Sequence, residues 1–447
     1  MTPQPAFPQL LHPIQGFEQM TDSPPDWLDS ARASAFAGWL AEVAPLHGLK
    51  PGSLRLASAD ASFRRYFRID ADDDSRGSRG SKSFIIMDAP PALEDCAPFV
   101  KVAGLMEGAG LQAPRVLAWD APLGFMLLSD LGAQTMMDVI APPAGALAIA
   151  EATPAHFDLY MQAVDALVRW QLASRSGVLP LYDDALLSRE LALFPEWYVG
   201  KHRGVALDAG LTSKLDALFA QIKASNLNSL GGARVFVHRD FMPRNLMAPT
   251  LPASRGSLPL QGATPPEATH LQAVQARAGG LGAAALSPEG ALHLRSDEAD
   301  FVAPARKIGG THNSSLGILD FQDAVYGPVT YDIASLMRDA FLSWDEEFVL
   351  DITVRYWQKA RKAGLPVGDD FGEFYRAVEW MGLQRHLKIL GIFARLTLRD
   401  GKPKYLADTP RFMKYARATC ARYRQLGPLM VLLDEIEGVD TRVGYTF

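Results

Sequence analysis

The chain has 447 residues, with 44 lysines and arginines against 50 acids for a formal net charge of −6, and a mass of 48.7 kDa. Hydrophobic residues at 48% and charged residues at 21% describe a globular chain with a sizeable core, long enough for two or three structural units. The acidic balance disfavours a nucleic-acid partner, the absence of an apolar run of about 18 residues disfavours a membrane helix, and two cysteines, Cys96 and Cys420, leave no disulfide framework or cysteine-rich metal site. The opening MTPQPAFPQLLHPIQGFEQM has neither lysine nor arginine and no apolar core segment, so a signal peptide is not expected. The expectation is a reduced, cytoplasmic monomer.

Residues 1–25 are proline-rich, lack helical periodicity and are expected to form a loosely attached arm. Trp27, Phe36, Trp39, Leu40 and Val43 recur at helical spacing and predict a helix over about 26–46. Strand-like runs follow at 54–58, 63–69 and 84–89, the last two separated by a polar stretch suited to an exposed hairpin tip. A helix over 94–109 and strands at 115–120 and 124–130 complete an antiparallel unit. From about 134 helical patterns dominate, at 156–175, 184–200, 211–225, 330–342, 346–363, 370–399 and 408–437. Residues 251–310 break the pattern. They hold thirteen alanines, eight glycines, six prolines and four serines among sixty positions, a composition that cannot bury enough apolar surface to offset its ordering entropy. The expected organisation is a sheet-rich N-lobe over 26–132 and a helical C-lobe over 133–447, interrupted by a low-complexity insertion at 251–310.

Two motifs flank that insertion. In the first, the apolar run Val235-Phe236-Val237 delivers His238-Arg239-Asp240, and Asn245 follows the aspartate by five residues. Phosphoryl transfer needs a carboxylate to orient and deprotonate an attacking hydroxyl and an oxygen ligand for Mg²⁺ close by; Asp-x4-Asn supplies both from one turn. In the second, Leu316-Gly317-Ile318-Leu319 delivers Asp320-Phe321, in the place where kinases set the aspartate that chelates the phosphate-bridging Mg²⁺.

Together, HRDFMPRNLM and LDFQDAVYGPVTYDIASL resemble the aminoglycoside phosphotransferase and choline kinase superfamily. DASFRRYFRI, FIIMDAPPALEDCAPFV, GFMLLSDLG, ELALFPEWYV and LQRHLKILGIFARLTLRDGKPKYL are similar, more narrowly, to bacterial anomeric amino-sugar kinases of cell-wall recycling. The resemblance implies an α+β, two-lobed protein-kinase-like fold with an antiparallel-sheet N-lobe and a mainly helical C-lobe. It also implies ATP and Mg²⁺ as cofactors, and phosphorylation of N-acetylmuramate or N-acetylglucosamine at the 1-position. By the same resemblance Asp240 is the catalytic base, Asn245 and Asp320 are the metal ligands, and His238 is architectural. The turn from Asp60 through Ser62 to Arg65 matches a nucleotide-covering loop, and Ser129-Asp130-Leu131 matches the hinge that offers backbone groups to adenine.

Departures from kinase patterns are as informative. Met87 stands about where kinases carry a lysine on the third strand, and no G-x-G-x-x-G loop is present. Positive charge for the phosphates must come from elsewhere, with Arg64, Arg65 and Arg68 the candidates and Arg244 a more remote one. Strand alternation puts Arg65 on the face opposite Arg64 and Arg68, and Arg65 is favoured here for the phosphate role against a solvated one. At the acceptor end, Arg385, Lys388, Arg395, Arg399 and Lys402 lie near one helical stripe. That stripe either neutralises an anionic acceptor or is a solvated face; read the first way, it argues against a polycationic aminoglycoside. Glu190, Glu196 and Trp197 are candidates to hydrogen-bond and stack on a sugar, with a core role the alternative for Trp197. The competing functions are another small-alcohol or aminoglycoside kinase, and a catalytically silent nucleotide-binding regulator.

Overall fold

Helical spacing and strand alternation meet in the first lobe to bury one face against another. The computed structural model describes Trp27 and residues 29–59, 64–72, 83–142, 148–249 and 316–439. The expected arm, the expected insertion and both Asp60 and Ser62 lie outside the described residues. Helix α1 (Ser30–His47) opens with the Asp29 side chain accepting from the Ala31 N–H and closes on Gly48, whose φ of 61° is left-handed. Five strands follow: β1 (Arg55–Ala59), β2 (Arg65–Asp70), β3 (Ser83–Asp88), β4 (Val116–Asp120) and β5 (Phe125–Ser129), with helix α2 (Ala97–Gly108) between β3 and β4. They form one antiparallel sheet in the order β1-β2-β3-β5-β4.

The two sides of this sheet do different work. Phe67, Ile69, Phe84, Ile86, Phe125 and Leu127 face α1 and meet its Phe36, Trp39, Leu40 and Val43. Ile85, Met87, Met126 and Leu128 belong instead to the core that contains Phe99, Val102 and Met106 of α2. Each fully buried aromatic or branched side chain contributes about 1.5–3 kcal/mol, so the parity of the strands is firmly fixed.

The second lobe contains α3 (Met136–Ile140), β6 (Ile149–Ala150), α4 (Pro154–Leu172), α5 (Asp184–Leu193) and α6 (Ala209–Asn228). Next come β7 (Arg234–Val237), β8 (Leu246–Met247), β9 (Gly317–Ile318) and β10 (Val325–Pro328). The chain continues with α7 (Tyr331–Met337), β11 (Ser343–Trp344), α8 (Glu346–Lys362), α9 (Phe371–Leu398), α10 (Thr409–Arg422) and α11 (Gly427–Glu437). Strand β10 pairs with β7 and β9 with β8, both antiparallel. The lobe is built around α9, whose buried residues run continuously from Ala377 to Gly391 and which packs against α5, α6, α7 and α10.

Three helices differ from their expected spans. The 184–200 helix stops at Leu193 and widens into a π-helical segment over Phe194–His202, where Pro195 removes an amide donor. The close approach of this segment to α9 requires Gly391, because a Cβ there would sit 2.3 Å from the Leu193 carbonyl. The 330–342 helix ends at Met337, and the Asp339 carboxylate then accepts the Phe341 and Leu342 N–H groups in a turn. The 408–437 helix is two helices, parted just before Gly427-Pro428. No helix among the described residues is long and apolar enough to cross a membrane.

Candidate active site

Strand β7 ends in the loop that carries His238, Arg239 and Asp240, and this loop is fixed from three sides. Asp332, fully buried at the start of α7, accepts the His238 N–H at 2.7 Å on one carboxylate oxygen and the Arg239 N–H at 3.0 Å on the other. The His238 ring accepts the Asp240 N–H on Nδ1 (3.2 Å) and faces the Leu319 carbonyl with Nε2 (2.9 Å). A neutral ring protonated at Nε2 satisfies both contacts, and burial lowers the His238 pKa accordingly. His238 is therefore architectural: it ties the Asp240 loop to the loop that carries Asp320. The third tie is Arg385, which donates from Nη1 to the Arg239 carbonyl (2.7 Å) and from Nη2 to Ser335 Oγ (2.6 Å).

The two loops are also joined backbone to backbone. Leu246 pairs with Ile318 and Met247 with Gly317, and the Leu319 N–H donates to the Asn245 carbonyl at 2.9 Å. Gly317 permits this approach, since a Cβ would lie 2.9 Å from Leu131 Cδ1 and 3.0 Å from Met247 Cβ. Leu131 of the inter-lobe hinge is thereby packed beside the strand that delivers Asp320. Asn245 donates its amide to the Asp240 carbonyl (2.9 Å) and lies 3.4 Å from Asp320 Oδ2, while Gln322 donates to Asp320 Oδ1 (2.9 Å). It is thus the Asn245 nitrogen that is engaged and that faces Asp320; the Asn245 Oδ1 and the Asp320 carboxylate are the two hard oxygen donors these loops could offer. Two such donors suit a cation that keeps waters and takes phosphate oxygens. Among the described residues no group of three or more His, Cys, Asp or Glu forms a complete metal cage. Arg239 and Asp320 both adopt left-handed backbone, φ 79° and 62°, which side-chain-bearing residues reach at a cost of about 1–3 kcal/mol.

Structure and expectation part company over the cations. Arg65 was favoured for the phosphates, but it lies on the α1 side of the sheet, bonded to Asp88 Oδ2 at 2.5 Å, with Trp27 stacked at 4.2 Å and Arg32 holding the other oxygen. The reason is parity: Arg65 pairs with Asp88 in register and shares its face. Arg68, on the opposite face, donates to both oxygens of Asp130 (2.6 and 3.0 Å), which also accepts from Ser83 and the Gly132 N–H. Burial alone would raise the Asp130 pKa, yet these donors hold it below the usual carboxylate range. Asp130 therefore braces the segment that leaves β5 with its side chain, and Ser129 ends β5 beside it.

The expected basic stripe on α9 is corrected too. Arg385 and Lys388 are 3% and 9% exposed. Lys388 Nζ donates to Glu190 Oε1 at 2.8 Å, Arg239 donates to the same oxygen at 2.6 Å, and the Tyr182 hydroxyl donates to Oε2 at 2.5 Å. Burial would push the Glu190 carboxyl up, but Lys388 and Arg239 hold it down to about 2. Glu190 is an interior anion that secures the Asp240 loop, and in this structure none of the three presents itself to a sugar. Of the rest of the stripe, Arg395 and Lys402 are half-buried and Arg399 is exposed and paired with Asp400 at 2.6 Å, so the five do not form one face and give no ground for or against a polycationic acceptor. Glu196 is exposed and paired with Lys201 at 2.9 Å, and the Lys201 ammonium lies 3.4 Å from the centre of the half-buried Trp197 ring. The sequence reading missed Arg239 as a structural cation. Buried cations on an otherwise apolar stretch of helix call for an interior anion, which is Glu190; Arg239 itself had no such signal.

The family model described as "Phosphotransferase enzyme family" matches residues 53–253 and 310–369. The chain is 41% identical over 409 residues to the N-acetylmuramate/N-acetylglucosamine kinase of Pseudomonas aeruginosa, covering 91% of this chain and 94% of that protein. It is 40% identical over 411 residues to the protein of the same name from Neisseria meningitidis serogroup B, covering 92% and 97%. Among solved structures, it is similar to an aminoglycoside phosphotransferase, APH(2")-IIa, in complex with gentamicin (TM-score 0.49, 11% identity, 87% of this chain and 97% of that chain).

Proposed function

This chain belongs to the phosphotransferase enzyme family, and on that premise we propose that it transfers the γ-phosphoryl group of ATP to the anomeric hydroxyl of N-acetylmuramate or N-acetylglucosamine. The acceptor comes from the relatives that share its sequence over more than nine-tenths of its length. One observation carries the chemistry. The Asp240 carboxylate takes no hydrogen bond among the described residues, while its own backbone is held by His238 and Asn245. An anion positioned this way, a short reach from Asn245 and Asp320, is ready to receive an acceptor hydroxyl and accept its proton as the loose transition state develops. The anomeric hydroxyl asks little of that base, because the ring oxygen makes it more acidic than the others. Asn245 Oδ1 and the Asp320 carboxylate would hold Mg²⁺, which when bound supplies counter-charge to the β- and γ-phosphates. The backbone of Ser129, Asp130 and Leu131 would take the adenine edge. We assign the protein to the cytoplasm as a monomer.

The test is ATP turnover over N-acetylated amino sugars, with a methyl glycoside and one aminoglycoside alongside. Proton-coupled phosphorus NMR is expected to place the new phosphate on C1, with the methyl glycoside inert. Phosphate on C6 would overturn the anomeric assignment, and turnover of the aminoglycoside alone would overturn the acceptor class.

A further inference from the structure

We propose that Arg64, held by Glu94, is the cation that meets the nucleotide phosphates in place of the missing third-strand lysine. This inference rests on the ATP-dependent reading above. Met87, at the strand-3 position, is fully buried and pairs in register with Tyr66. Its methionine side chain brings no charge to the face that looks toward α2. Arg64 immediately precedes β2 and shares the parity of Tyr66 and Arg68, so it lies on that same face. Of the three neighbouring arginines, Arg65 is engaged by Asp88 behind the sheet and Arg68 by Asp130 at the hinge. Arg64 is engaged by Glu94 at 2.9 Å, with the two side chains 11% and 16% exposed.

Glu94 places this pair. It stands three residues before α2, and Phe99 in the first turn of α2 rests on Phe321 with ring centroids 4.8 Å apart. Phe321 is the direct neighbour of Asp320. Three residues of loop and the first turn of α2 therefore connect the Arg64–Glu94 pair to the loop that would hold the metal. Kinases use a lysine on strand 3 with a glutamate from the following helix for this purpose. Here the same cation–carboxylate logic is moved one strand over and one turn earlier, to a guanidinium whose planar fork matches phosphate oxygens. The cations on the other side of Asp240 cannot substitute, because Arg239 and Lys388 share Glu190 in the interior. Arg64 is then a phosphate-binding residue and Glu94 a positioning residue that acts through it.

Calorimetric titration of Mg-ATP and of adenosine against the full chain separates a phosphate contact from a packing role. Arg64→Gln should weaken ATP roughly 10- to 100-fold, the range of a lost charge-assisted hydrogen bond, and leave adenosine within about twofold of wild type. Arg64→Lys should recover part of the loss. Glu94→Gln should weaken ATP less, and adding it to Arg64→Gln should cause no further loss. Unchanged ATP affinity in Arg64→Gln, or equal weakening of ATP and adenosine, would overturn the assignment while leaving the kinase reading intact. Failure of the wild-type chain to bind ATP would overturn both.

Discussion

The sheet lobe and the helical lobe each bury one carboxylate between two cations, and they differ in what that set holds in place. On the α1 side of the sheet, Asp88 is fully buried but meets two arginines, Arg32 and Arg65, whose side chains remain 15% and 32% exposed. Losing either leaves the carboxylate a partner and lets the survivor reach water. Behind the Asp240 loop, Arg239 and Lys388 converge on the single carboxylate of Glu190, 5% exposed, with Tyr182 completing it. Arg239 keeps 18% of its side chain exposed and Lys388 11%, so the second set is the more enclosed one mainly at Lys388. What sets it apart is position: Arg239 is the direct neighbour of Asp240, so this set bears on the reacting loop, whereas the Asp88 set bears only on the far side of the sheet.

Three substitutions probe that contrast, in falling order of effect. Asp240→Asn removes the base that the helical lobe is built to hold. It should lower kcat by roughly 10²–10⁴-fold with nucleotide affinity largely kept, and turnover within about threefold of wild type would take Asp240 out of that role. Glu190→Gln should destabilise the fold by about 3–5 kcal/mol in urea unfolding, because two buried cations lose their counter-charge. Its pH dependence follows from the depressed carboxyl. Glu190 titrates near 2 when folded against an ordinary 4.5, so its stabilisation is present above about 4.5 and is lost as pH falls toward 2. The stability gap between wild type and Glu190→Gln should accordingly narrow from pH 5 to pH 3; a gap that stays constant would mean that Glu190 is not the interior anion described. Arg65→Ala is the mildest. A loss of no more than about 1 kcal/mol and unchanged ATP affinity are expected, and a large fall in ATP affinity would return Arg65 to the phosphates.

The chemistry-bearing loops were legible because their residue types and spacing are dictated by what phosphoryl transfer requires. Element order was legible for the same kind of reason, since alternation and helical spacing are imposed by burial. What the strand could not disclose was which of its faces α1 would cover. Alternation separated Arg65 from Arg64 and Arg68 correctly, and the choice between the faces then went the wrong way. On α9 the spacing of Arg385 and Lys388 placed them on a common side, but the side is interior because α5 and α7 pack over it. Trp380, Met381, Leu383, Leu387, Leu390 and Phe393, buried around the same helix, were the available sign that its middle has no wet face. The break between α10 and α11 was written as Gly427-Pro428 and passed over in favour of a continuous periodicity. Left-handed backbone at Arg239 had no sequence signal, whereas at Asp320 it falls on one of the residue types that tolerate that region best.

The pairing of β8 with β9 bears on how the molecule comes together. Two residues of ladder on each side join Met247 to Gly317 across a separation of ~70 positions. Closing such a loop costs about 2.5 kcal/mol more than a four-residue hairpin, and doubling it again would add only about 0.6 kcal/mol. So short a ladder cannot set its own register, which instead comes from outside it. Leu319 is fixed by the Asn245 carbonyl and the His238 ring, and Ile318 by the Gln112 carbonyl. The alignment of the reacting centre thus depends on β7 and on the sheet lobe rather than on the two-residue ladder itself. It also means that the connecting chain can lengthen or shorten over generations at almost no thermodynamic penalty, because the register of Asp320 against Asp240 is not kept by the chain that connects them.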